Sequence, residues 1–145
     1  MDRTVAVVLL AVHGIVMAVC AAMGGLWTAA WTAVLLYALY DPTSPAVIDW
    51  FFGIGVAMRA FLLLPTLVAA LLTGASATSL RRGERRFVLA TILSAIVVPL
   101  VNLTVSLMTF DLLGFAWLVS WVVGIVASIV VVASLQGTQG RDDEW

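Results

Sequence analysis

One arginine interrupts a long apolar run of this chain. The stretch WFFGIGVAMRAFLLLP, residues 50–65, carries Arg59 ten residues after Asp49, about 15 Å further along a helix. A guanidinium offers five N–H donors, pairs with anions and stacks on aromatic rings. This depth is close to mid-membrane, where an arginine costs at least about 2.5 kcal/mol. We therefore expect Arg59 to face partners on other helices.

Depth along the predicted helices gives Arg59 its candidate partners. Counted from the acidic helix ends, Asn102 lies nine residues before Asp111, and Trp31 lies ten residues before Asp41. The amide oxygen can accept a hydrogen bond from the guanidinium, and indole rings can stack on it. Three aspartates at these ends could supply countercharge through water: Asp41, Asp49 and Asp111. The candidate ligand-binding residues are Arg59, Trp31, Asn102 and Trp121.

Three hypotheses for Arg59 follow. In the first, which we favour, it belongs to a satisfied internal hydrogen-bond network that holds the helices together. In the second, it lines an outward-facing cavity that holds an anionic or carbonyl-bearing small molecule. In the third, it snorkels at a contact between subunits.

Further polar residues lie at helical spacing. Asn102, Ser106 and Thr109 follow the i, i+4, i+7 pattern, which puts them on one face of a helix. Such residues join neighbouring membrane helices through hydrogen bonds. His13 is the only histidine, and we expect it to make an interhelical polar contact as well. These four residues are the predicted interhelical polar contacts.

The remaining chemistry is sparse. With one histidine, one cysteine and acids only near the predicted helix ends, the sequence contains no catalytic triad, metal cluster or phosphate-binding loop. We expect neither an enzyme nor a metal or cofactor. A net charge of −1 also argues against nucleic-acid binding, because no basic face exists beyond one short loop.

The composition indicates the elements that must position these residues. Of the 145 residues, 63% are hydrophobic and only 10% are charged, far fewer than a soluble surface needs. Apolar stretches reach the roughly 20 residues that cross a bilayer. The sequence predicts an all-α integral membrane protein with the bilayer as its main partner. The four apolar segments are 5–40, 47–73, 87–110 and 112–135.

The first segment is too long for one crossing, since 36 residues make a helix of ~54 Å against a hydrocarbon core of ~30 Å. It could break at Gly24-Gly25 into two spans. The arginines argue for four spans, which put both termini and the RRGERR loop on one side, opposite Asp41, Asp49 and Asp111. This distribution follows the positive-inside rule. We predict cytoplasmic termini in the inner membrane, with the first helix tilted, kinked or protruding.

The four spans form two tandem hairpins in one membrane domain. The first hairpin is predicted over 1–75 and the second over 87–135. A cytoplasmic arginine-rich loop over 76–86 joins them, and a polar cytoplasmic tail covers 136–145.

The second hairpin resembles a family of bacterial two-helix membrane hairpins of unknown function. The resemblance rests on a proline followed by polar residues at helical spacing, a Gly-aromatic turn and a W-L-x-x-W helix start. The first hairpin matches less, through Trp50, MRAF and Pro65. A tandem duplication of this hairpin is what the resemblance implies. The layout is also similar to small proton-coupled exporters, but the acid of their first helix is missing. The matching residues are Pro99, Asn102, Thr104, Ser106, Met108, Gly114, Phe115, Trp117, Leu118 and Trp121.

Two function classes remain. The first is a non-catalytic accessory or assembly subunit, or a homo-oligomeric membrane component, that packs through small-residue helix faces such as AVCAAMGG. The second is a small transporter or ligand-binding membrane protein whose site centres on Arg59.

Overall fold

The computed structural model describes residues 3–41, 43, 46–82, 84–85, 87–109 and 111–142; within the helices, side chains are described except at 46–49, 51–52 and 137–142. This part of the chain is helical, with short connections. The helices are α1 (Arg3–Tyr40), α2 (Ala46–Arg82), α3 (Val88–Met108) and α4 (Leu113–Asp142). All four are long and apolar enough to cross a membrane, as the sequence predicts.

Helix α1 runs without interruption for 38 residues, about 57 Å. The predicted single helix is confirmed, and the break at Gly24-Gly25 is not observed. Gly24 is buried, and a Cβ built there would lie 3.8 Å from the side chain of Leu63 on α2. The glycine pair therefore lies against α2, whose packing holds the helix through a stretch of weak helix propensity.

The helices form a four-membered ring in chain order. Helix α1 packs against α2 and α4, and α3 packs against the same two helices. One buried cluster, around Leu10, Leu80 and Val131, fills the bundle near the arginine-rich end. A second cluster, around Met17, Ala69 and Trp117, lies further along the bundle.

Two helices extend beyond the ends predicted from composition. Helix α2 continues through residues 76–82, which the polar composition assigns to the loop 76–86, and α4 continues into the predicted tail as far as Asp142. Ser76, Ala77, Ser79 and Leu80 are buried, whereas Thr78, Arg81 and Arg82 are exposed, so one face of this stretch packs against protein. The connection between the hairpins is therefore short, since α3 already begins at Val88.

The two hairpins differ in height. Helix α3 has 21 residues, about 31 Å, whereas α2 has 37 residues, about 55 Å. Because the hairpins meet at the arginine-rich end, the excess length of α1 and α2 lies beyond the α3–α4 turn. We call residues 29–54, the far part of the first hairpin, the outer hairpin. None of its described side chains is buried.

Candidate functional site

The Arg59 guanidinium forms an ion pair with Asp111 at the α3–α4 turn. Its Nη2 donates hydrogen bonds to Asp111 Oδ2 and to the hydroxyl of Ser106. The two charged side chains are 2% and 5% exposed, so a low-dielectric surrounding strengthens their attraction. Nε and Nη1 of Arg59 are buried and have no hydrogen-bond partner among the described residues.

Asp111 also organises the turn that carries it. Its Oδ1 accepts a hydrogen bond of 3.0 Å from the backbone N–H of Leu113, at the start of α4. Its Oδ2 lies 2.7 Å from the hydroxyl of Thr109. One carboxylate thus caps α4, holds the end of α3 and neutralises an arginine on α2.

An aromatic ring completes the surroundings of the guanidinium. Arg59 Cζ lies 5.2 Å from the ring centroid of Trp27 on α1, within range of a cation–π interaction. Trp31, one turn further along α1, packs on Trp27 with 5.7 Å between ring centroids. Residues from α1, α2 and α3 and from the α3–α4 turn therefore meet around one charge.

Two further polar layers join α2 to α3. Asn102 Nδ2 donates to Thr66 Oγ1 at 3.1 Å and to the Val98 carbonyl at 3.0 Å. Nearer the arginine-rich end, the hydroxyls of Ser76 and Thr91 lie 2.5 Å apart. With the Arg59 pair, these contacts form three polar layers along the boundary between α2 and α3. We call them the α2–α3 seam.

The other predicted polar residues take different positions. Thr109 bonds within its own helix, with its Oγ1 2.8 Å from the Val105 carbonyl, and its methyl group approaches Gly55 on α2. His13 is fully buried, and neither ring nitrogen has a hydrogen-bond partner among the described residues. Trp121 is half-buried, and its Nε1 likewise has no partner in the described part of the chain.

Of the four residues predicted to share a ligand site, Arg59 and Asn102 have different hydrogen-bond partners. Arg59 bonds to Ser106 and Asp111, whereas Asn102 bonds to Thr66 in the next polar layer toward the arginine-rich end. The ring facing the guanidinium is Trp27, one helical turn before Trp31. Asp111, expected to act through water, contacts Arg59 directly.

The depths expected for the partners of Arg59 were wrong because they were counted along each helix from its acidic end. The α1–α2 connection lies well beyond the α3–α4 turn, so Asp41 and Asp111 are at different levels. Counted from the arginine-rich end, Arg59 lies 23 residues before Arg82, Asp111 lies 23 after Val88, and Trp27 lies 24 after Arg3. This second count, made from the helix ends of the structure, places Arg59, Asp111 and Trp27 at one level.

The outer hairpin presents an apolar surface on either side of its connection. Asp41 accepts hydrogen bonds from the hydroxyl and the backbone N–H of Thr43, and these bonds lower the pKa of its carboxyl group. The sequence 29–54 contains no basic residue. The exposed large apolar side chains here are Val34, Leu36, Tyr37, Leu39, Tyr40, Trp50 and Ile54.

No protein-family model matches the chain, and neither a curated protein nor a solved structure shows significant similarity to it.

Proposed function

We propose that the chain is a non-catalytic polytopic membrane protein, either an accessory or assembly subunit or a homo-oligomeric component. The proposal begins with membrane insertion of the four helices, termini inside the cell. The arginines near one end of the bundle support this orientation through the positive-inside rule.

The shorter hairpin sets the position of the bilayer in this proposal. Helix α3, about 31 Å long, matches one hydrocarbon thickness of ~30 Å. The connections at both of its ends have backbone groups that lipid cannot satisfy, so both belong outside the hydrocarbon. Arg59 then lies at the outer boundary with Asp111, rather than at mid-membrane as its distance from Asp49 suggested.

The outer hairpin is the observation that carries the functional proposal. With the bilayer matched to α3, residues 29–54 rise beyond the hydrocarbon. Apart from Thr43, their described exposed side chains are aliphatic or aromatic, with Tyr37 76% and Leu39 63% exposed. A two-helix hairpin with such a surface is unfavourable in water, and large exposed apolar patches mark protein contacts. We propose that a membrane-protein partner or a second copy of this chain covers it.

Photo-crosslinking in native membranes tests this proposal. A benzoylphenylalanine at Leu39, in the outer hairpin, is expected to give a discrete protein adduct. The mass of the adduct distinguishes a second copy from a different subunit. The matched control is the same probe at Leu71, also an exposed leucine of the first hairpin, but facing lipid in this placement. No adduct at Leu39 beyond that at Leu71 would exclude a covering protein.

A second candidate function is an outward-facing site for an anionic or carbonyl-bearing small molecule. One observation favours it: Nε and Nη1 of Arg59 are buried without a partner among the described residues. The Asp111 carboxylate argues against this second function, because it already neutralises the guanidinium. Acetate and inorganic phosphate are suitable probes. Either should raise the melting temperature of the wild type but not of Arg59→Leu/Asp111→Asn if the site exists, and neither should do so if the pair is structural.

A further inference from the structure

A groove at the arginine-rich end of the bundle lies outside the α2–α3 seam and the outer hairpin. It has a volume of about 220 Å³ and lies between the first turns of α1 and the last turn of α2. Its lining combines two cations, a hydroxyl and an apolar side chain: Arg3, Arg81, Thr4 and Val7.

The first arginine is held in place by the fold. Arg3 Nε donates a hydrogen bond of 2.5 Å to the carbonyl of Leu80, in the last turn of α2. Carbonyls in that turn have no intrahelical donor, so the bond satisfies the end of α2. It uses one of the five guanidinium donors, and the two terminal amino groups carry the other four. The side chain is therefore oriented before any ligand arrives, which lowers the entropic cost of binding.

The second arginine comes from the other wall of the groove. Arg81 directly follows Leu80 and is exposed, so two guanidinium groups from different helices border one groove. Arginine presents planar, paired donors that match phosphate oxygens. The acid of the neighbouring connection, Glu84, does not line the groove.

The apolar side of the groove indicates what kind of phosphate fits. Val7 lines it, and the exposed face of α1 continues away from the arginines with Val8, Val12 and Ile15. A ligand with an anionic head and a hydrocarbon tail would place its head against the two arginines and its tail against the apolar face of α1. Basic pockets between helices at the cytoplasmic boundary bind anionic lipid headgroups in this way.

We propose that this groove binds the phosphate of an anionic phospholipid in the cytoplasmic leaflet. The site rests on the membrane placement proposed above, but it is independent of any protein that covers the outer hairpin. A lipid site can therefore fail while the partner proposal stands, and the reverse also holds.

Native mass spectrometry of the purified, delipidated protein tests the site. Phosphatidylglycerol is expected to bind the wild type more tightly than phosphatidylcholine. Arg3→Gln/Arg81→Gln should weaken phosphatidylglycerol binding by about 20-fold, from roughly fivefold per arginine. Arg81→Gln alone keeps the Arg3–Leu80 bond, so it should lose about fivefold even if the double variant does not fold.

The matched control is Arg82→Gln/Arg85→Gln, which removes the same charge from the same end without altering the groove lining. It should bind phosphatidylglycerol within about twofold of the wild type. An equal loss of binding in both double variants would mean that the general positive charge of this end, and not the groove, attracts the lipid. Equal binding of the two lipids, or displacement by glycerol phosphate at equal concentration, would also overturn the assignment.

Discussion

The Arg59–Asp111 pair explains how a permanent charge is tolerated within an apolar run. The side-chain chemistry predicts that Arg59 turns inward and that Ser106 faces other helices. The direct partner does not follow from chemistry alone, because Asp111 and Asp41 are equivalent as anions. Only the relative height of the two hairpins brings Asp111, rather than Asp41, to the level of Arg59.

Asp111→Asn isolates the charge of this pair. Asparagine retains an oxygen for the Leu113 N–H and remains a good helix N-cap, but it leaves the buried guanidinium without a counterion. We expect the free energy of unfolding to fall by about 3 kcal/mol, measured by thermal or denaturant unfolding in detergent.

Asp41→Asn provides the control, because Asp41 forms the same type of turn bond, to Thr43, without an ion pair in the described part of the chain. It should leave the melting temperature nearly unchanged. A loss for Asp41→Asn as large as that for Asp111→Asn would mean that the turns, and not the ion pair, provide the stability. Arg59→Met/Asp111→Asn should recover much of the loss, since replacing both charges removes the unpaired group.

Helix number follows from composition, whereas helix ends depend on packing. Four apolar segments predict α1 to α4, and the distribution of the arginines predicts that the long first segment is one span. The polar residues at 76–82 suggest a loop, but this stretch is helical, and about half of its side chains pack against protein. The Ser76 hydroxyl there lies 2.5 Å from the Thr91 hydroxyl on α3, and the Thr78 hydroxyl donates to the Gly74 carbonyl of its own helix at 3.0 Å. Composition cannot distinguish that burial from exposure to solvent.

Gly124→Ala tests how closely the helices approach. A Cβ at Gly124 of α4 would lie 2.5 Å from the Ala95 carbonyl oxygen on α3 and 2.9 Å from the His13 ring on α1. Backbone on one side and a buried ring on the other leave no room, so we expect a loss of about 1–3 kcal/mol in stability.

Gly74→Ala is the matched control, since a Cβ there meets nothing within 4 Å and alanine favours the helix. It should be neutral or slightly stabilising in the same unfolding measurement. If Gly124→Ala were as well tolerated as Gly74→Ala, α4 would not pack as closely against α1 and α3 as described.

The unequal heights of the hairpins shape the complete protein. The sequence predicts that the first helix tilts, kinks or protrudes. In the proposed membrane placement it protrudes together with α2, which has 37 residues. The partner of the outer hairpin does not follow from the sequence, since apolar residues that face lipid and those that face a partner have the same composition. The duplication of a hairpin stays a prediction. Asp41 and Asp111 make similar turn bonds at the ends of α1 and α3, which is consistent with it.

Spin-label depth in reconstituted vesicles most directly tests whether the outer hairpin lies beyond the hydrocarbon. Single cysteines at Leu36 and Leu67, about equally exposed at 53% and 50%, are labelled in a Cys20→Ala background. We expect collisions with a water-soluble nickel complex to dominate at Leu36, and collisions with dissolved oxygen to dominate at Leu67. A label at Leu36 that is as deep in the hydrocarbon as the label at Leu67 would contradict the proposed placement of the bilayer and remove the need for a covering partner.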